Sequence, residues 1–124
     1  MSVELNHTII HSRDKVASSR FLSEILGIDP PEAVQSFMAV QLSNGITLDY
    51  ADDDEPRSQH YAFLVDDDEF DAIFDRVTAA GITYYADPFH RQPGELRRRD
   101  GGRGFYFADP DDHNMEVFSM VPRP

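Results

Sequence analysis

The sequence predicts an α+β fold made of two βαβββ units, and three observations carry that expectation. Two stretches of the chain read in the same order: strand, helix, glycine, then hairpin strands. A histidine opens each stretch, His7 and His60, 53 positions apart. A glycine closes each helix at nearly the same distance, Gly27 and Gly81. Self-similarity at a fixed period decides an architecture before its elements do. The two repeats are expected over 1–55 and 59–121, together forming one domain across the 124 residues.

In chain order, residues 3–11 read as a first strand with Leu5, His7, Ile9 and His11 on one face. Ser12, Arg13 and Asp14 offer helix caps, and Val16, Phe21, Leu22, Ile25 and Leu26 follow at helical spacing until Gly27. Asp29-Pro30-Pro31 is a loop, and the chain runs extended from about Ala33 through Leu42. Asn44-Gly45 is a strong hairpin signal, with residues 46–50 as the return strand and an acidic linker over 52–58. The plan then recurs. Residues 60–65 form a strand, and the acidic run 66–69 suits the positive N-terminus of a helix carrying Phe70, Ile73, Phe74 and Val77. After Gly81, residues 82–85 begin another strand, and a long loop spans 88–103 with Gly101-Gly102 as a hinge.

The chain closes on a hairpin. Asp109-Pro110 suits a type I turn, because Asp bonds its own backbone and Pro presets the next φ. Pairing residues whose numbers sum to 222 sets Phe107 against Met115, Phe105 against Val117 and Tyr106 against Glu116. That register gathers the apolar pairs on one face and places the phenol beside the carboxylate on the other; a one-residue slip would mix them. A mid-strand carboxylate needs a partner, since burying it alone is costly.

Composition narrows the chemistry. A formal charge of −12 argues against nucleic acid and against anionic membrane surfaces. No run approaches the length of a membrane span, and the first residues read as neither a basic leader nor an apolar signal core. The expected location is the cytoplasm, and what remains is a protein that binds a small molecule or a protein-interaction domain. With no cysteine, any metal must be held by His, Asp, Glu or Tyr. His7 and His60 stand at matching positions of the repeats, and aligning residues 114–117 with 45–48 sets Glu116 against Thr47. Two imidazoles and one carboxylate with open coordination positions form the facial arrangement that suits non-haem Fe(II).

Asn6-His7, Gln59-His60 and the run from Phe105 to Val117 together resemble the vicinal oxygen chelate superfamily. That superfamily includes glyoxalase I, bleomycin-resistance proteins, fosfomycin-resistance transferases and type I extradiol dioxygenases. The resemblance implies a cup-shaped eight-stranded sheet around a divalent metal, with His7, His60 and Glu116 as ligands and Tyr106 at the substrate. Fe(II) is the expected ion, with Mn, Co, Ni or Zn as alternatives, and a homodimer the expected assembly. The pattern departs from the family at Asp112-His113, where a glycine often sits.

Several activities fit. The glyoxalases carry a fourth ligand in the first module; Thr47 takes that place here, although Asp49 lies two residues on along the same face. Three protein ligands leave room for a bidentate diolate and O₂. One carboxylate on a divalent ion leaves a single positive charge, which a monoanionic catecholate neutralises. The resemblance therefore favours an extradiol dioxygenase-like enzyme, with His11 or His90 as candidate acid–base groups. A glyoxalase-like lyase or isomerase and a fosfomycin-type thiol transferase are the alternatives, and a non-catalytic sequestering protein is the alternative of another class. Arg91, Arg97, Arg98, Arg99 and Arg103 crowd one loop. They read either as charge balance or a subunit contact, or as a lid in which Arg97 and Arg103 guide an anionic substrate.

Overall fold

The computed structural model describes residues 2–120; the expected end of the second repeat, at 121, lies outside them. The chain divides between Arg57 and Ser58 into two compact units.

The first unit runs β1 (His7–Ser12), α1 (Lys15–Leu26), β2 (Glu32–Val34), β3 (Phe37–Gln41) and β4 (Thr47–Asp52). Its sheet has the order β1-β4-β3-β2, with β1 parallel to β4 and the other pairs antiparallel. Asp14 caps α1 by accepting hydrogen bonds from the backbone N–H groups of Val16 and Ala17. The helix stops at Gly27 (φ 69°), where Ile28 N donates to Ser23 O and Gly27 N to Glu24 O, a Schellman ending. Ile10, Leu22, Val40, Leu48 and Tyr50 are buried, each apolar side chain contributing roughly 1.5–3 kcal/mol by leaving water.

The predicted alternation in the first strand holds, but its face is the outer one. The strand begins only at His7; Ile10 and Ser12 point inward, while Leu5 and Ile9 are 64% and 42% exposed. The extended run from Ala33 is two strands. The chain reverses at Gln35, whose φ of 54° carries β2 into β3. At the Asn44-Gly45 hairpin, Gly45 alone takes a positive φ (85°), with Gly45 N donating to Leu42 O and Leu42 N to Ile46 O.

The second unit repeats the plan: β5 (His60–Val65), α2 (Asp67–Ala79), β6 (Arg97–Arg99), β7 (Gly102–Ala108) and β8 (Asn114–Ser119), in the sheet order β5-β8-β7-β6. The predicted α+β class of two βαβββ units is therefore present as two four-stranded sheets, each with its own helix. Asp66 caps α2 through Glu69 N, and the helix ends with the same paired bonds around Gly81. Phe70, Ile73 and Val77 of α2 are buried, as are Phe105, Phe107, Met115 and Val117 of the sheet, with Phe70 and Phe105 edge to face at 5.4 Å.

Two expectations fail here. Residues 82–85 form no strand: Tyr85 makes isolated bridges to Pro93 and Tyr106. The edge strand of the sheet comes instead from the arginine segment, read above as loop. Arg97–Arg99 pairs with residues 102–104 across Asp100 (φ 52°) and Gly101 (φ 78°), the two-residue turn with both φ positive that suits a tight hairpin. Gly101-Gly102 is thus a turn and a strand start, not a hinge. A side chain at Gly102 would collide with the Ser119 carbonyl. No helix among the described residues is long and apolar enough to cross a membrane.

Candidate functional site

The closing hairpin adopts the predicted register, Phe105↔Val117, Tyr106↔Glu116 and Phe107↔Met115. Because side chains alternate along a strand, Phe105 and Val117 pack beneath α2 while Tyr106 and Glu116 occupy the opposite face. Both are nonetheless buried, at 5% and 8% exposure. Burial alone would make the Glu116 carboxylate costly, and two partners offset that cost. His60 Nε2, from the neighbouring β5, lies 2.9 Å from Glu116 Oε1. Arg97 Nη2, from β6, lies 3.0 Å from Oε2. Arg97 also donates through Nη1 to the Tyr106 hydroxyl at 2.8 Å, its guanidinium 5.6 Å from the centre of that ring. Burial, and then the negative charge of Glu116, push the Tyr106 hydroxyl above its ordinary pKa, against the opposing pull of Arg97. It remains a protonated donor at neutral pH. Gly104, across from Arg97, leaves room for this clamp: a Cβ there would come within 2.6 Å of Nη2.

His7 belongs to the first unit, exposed on β1, with its Nδ1 2.9 Å from Asn6 Oδ1. The strand registers correct the repeat alignment. His7 pairs with Thr47 and Ile9 with Asp49, as His60 pairs with Asn114 and Ala62 with Glu116. Asp49, not Thr47, is therefore the counterpart of Glu116. Thr47 corresponds to Asn114, and its hydroxyl donates to Gln41 Oε1 at 2.7 Å.

Three other predicted residues have bonds that compete with the roles expected of them. His11 pairs with Asp53 at 3.4 Å on the surface. His90 stacks on Tyr85 at 4.1 Å and bonds Asn114 Oδ1 at 2.8 Å, which ties its loop to the start of β8. Arg103 bonds Asp71 and Asp67 and lies 4.3 Å over the Phe70 ring. It is three positions from Tyr106, so it points to the helix face and serves packing rather than a substrate on the other face.

One buried group escaped sequence reasoning. Ligand atoms of Asp109, Asp111 and His113 lie within 4.8 Å of one another. Asp109 Oδ1 accepts from Asp111 N and His113 N, and His113 Nδ1 accepts from Gln59 N at 3.0 Å. These bonds lock the turn that delivers Glu116, while Asp109 Oδ2 is buried without a hydrogen-bond partner. Burial holds the Asp109 carboxyl above its ordinary pKa. The signal was the Asp-Pro-Asp sequence itself, read as a turn opener and not as a buried network.

A model of the Glyoxalase/Bleomycin resistance protein/Dioxygenase superfamily matches residues 4–117. Oxidase ChaP-H1 is 50% identical, with a TM-score of 0.93 over 99% of this chain and 98% of its own. Oxidase ChaP-H2 is 51% identical, with a TM-score of 0.93 over 100% and 96%. Glutathione transferase FosA of Serratia marcescens is 27% identical over 94% of this chain and 81% of its own. The chain belongs to the glyoxalase/bleomycin resistance protein/dioxygenase superfamily.

Proposed function

We propose that the protein is a cytoplasmic, metal-dependent enzyme that oxidises a small substrate chelated through two neighbouring oxygens, with chemistry related to extradiol dioxygenases. The observation that carries this reading is the 2.9 Å approach of His60 Nε2 to Glu116 Oε1. Two ligands at right angles on an ion, with bonds of about 2.1 Å, stand about 3 Å apart. The donor set of imidazole nitrogen and carboxylate oxygen suits Fe(II) and also accepts Mn, Co, Ni or Zn. His7 completes the proposed ligand set, and Asp49 offers a further oxygen by its register. When bound, the ion supplies Lewis acidity and a redox partner for O₂. The chain supplies the rest: Tyr106 donates a hydrogen bond to a substrate oxygen, and Arg97 holds the Glu116 carboxylate in place through Oε2. Half identity to two oxidases along nearly the whole chain supports oxidation over the alternatives.

The test is oxygen uptake by Fe(II)-loaded protein across a catechol panel. Turnover that disappears in His60→Ala supports the reading; ligand binding without uptake would indicate sequestration. A second reading gains from Asp49. A carboxylate in register with Glu116 is what a glyoxalase-like lyase needs to move a proton at carbon, and the FosA likeness adds thiol transfer. Product formation from a hemithioacetal, or from glutathione and an epoxide phosphonate, would favour those chemistries.

The proposed assembly is a homodimer, consistent with the exposed apolar side chains of Leu5, Ile9, Leu64 and Met120. Mixing His7→Ala with Glu116→Gln protein separates the arrangements. Recovered activity means that His7 acts across the dimer, and none means that each chain builds its own site.

A further inference from the structure

On β6, Arg97 and Arg99 share a face, because alternate residues of a strand point the same way, and Arg98 points to the other. Beside them, on the face that carries Tyr106 and Glu116, lies a cleft of about 230 Å³. Gly102 contributes no side chain to it, while Phe118 and Met120 supply apolar surface. Asp100 is its single acidic residue, against Arg97, Arg99 and Arg103. The Arg103 guanidinium is committed to α2. Arg97 spends one N–H on Glu116 and another on Tyr106, and a guanidinium carries five. Three N–H groups of Arg97 and the whole fork of Arg99 therefore remain to meet an anion.

We propose that this cleft is a subsite for an anionic oxygen, a carboxylate or an ionised phenol, borne on a flat apolar ring of the substrate. Arginine matches such groups with paired N–H donors, and its planar face tolerates an aromatic neighbour. The cleft lies below the 300–1,000 Å³ usual for a whole drug-sized ligand, so it takes one end of the molecule. The remainder extends over Tyr106 and Glu116, with Arg97 touching both parts. The inference rests on the proposed function only for what lies beyond the cleft; the anion site itself requires no metal.

The test uses metal-free protein and two probes with a common ring, 2-naphthoate and uncharged 2-naphthalenemethanol, followed by amide chemical shifts. The anion is expected to bind about tenfold tighter than the alcohol, the scale of a hydrogen bond to a charged group. Its shifts should centre on Gly102, Arg99 and Phe118. Arg99→Gln should remove most of that preference and Arg99→Lys should restore part of it. Arg99 is exposed, so neither change threatens the fold. Equal affinity for the two probes, shifts centred elsewhere, or an unchanged preference in Arg99→Gln would each overturn the proposal. Metal content, measured on the same preparations, reports separately on the ligand set, so the two ideas fail independently.

Discussion

The two units share one topology and differ in what surrounds the acid. Matching the strand registers sets His7 against His60, Asp49 against Glu116, Ala39 against Tyr106, and Val34 against Arg97. In the second unit the carboxylate is 8% exposed and held on both oxygens. In the first, the equivalent aspartate faces the methyl group of Ala39 on β3, and the arginine's place on the edge strand β2 is taken by a half-exposed valine. Phe37 fills the place where Gly104 leaves room for the Arg97 guanidinium. A duplicated scaffold thus places an acid at the same register in both copies, and the residues on β6 and β7 decide how firmly the second one is held.

The contrast can be broken at Arg97. Replacing it with Met takes the guanidinium from Glu116 Oε2 and leaves the contact with His60 at Oε1. Removing one member of a buried ion pair typically costs about 3–5 kcal/mol; Arg97 is part exposed, so we expect about 1–3 kcal/mol in urea unfolding. The parallel change Val34→Ala, at a 47% exposed site, should cost under about 0.5 kcal/mol. Gly104→Ala attacks the same clamp from beneath. The added methyl must displace the guanidinium tip, and we expect a loss of about 1 kcal/mol with the fold retained.

The turn that presents Glu116 sharpens the comparison through pH. Burial raises the folded-state pKa of Asp109, so its contribution is fully present below the unfolded value and is lost as pH rises through the folded one. Asp109→Asn removes that titration while keeping an acceptor for Asp111 N and His113 N. The stability of Asp109→Asn relative to the parent should therefore climb as pH rises from below the ordinary aspartate value, then level off. A flat difference across that window would remove burial of the charge as the cause. A small effect of the opposite sign lies further along the same turn. The first unit turns its last hairpin on Gly45, the second on Asp112 at φ 61°. Asp112→Gly should stabilise by about 0.5–1 kcal/mol by thermal unfolding, since relief of a left-handed backbone costing an L-residue about 1–2 kcal/mol is partly offset by the greater unfolded-state entropy of glycine.

Local signals made much of this legible. Asp14, Asp66, Gly27 and Gly81 bound both helices as caps do, and the alternation from Phe105 to Val117 admitted a single register. The repeat offset was not legible, because a shift of two residues leaves every side chain on its own face; hydrophobic pattern cannot distinguish Thr47 from Asp49. The edge strand β6 was hidden by composition. Three consecutive arginines read as loop, although Asp100-Gly101 was a hairpin signal of the same kind as Asn44-Gly45. The reversal at Gln35 carried no glycine or proline to announce it. The clamp from Arg97 to Glu116 joins residues of different strands, which spacing along the chain does not reveal.

Glu116, the better-supported acid, is the centre of the proposed metal site. Elemental analysis of anaerobically purified protein, beside Glu116→Gln and Asp49→Asn, tests it most directly. About one divalent ion per chain in the parent, its loss in Glu116→Gln and a smaller loss in Asp49→Asn is the predicted outcome. Full metal content in Glu116→Gln would contradict it.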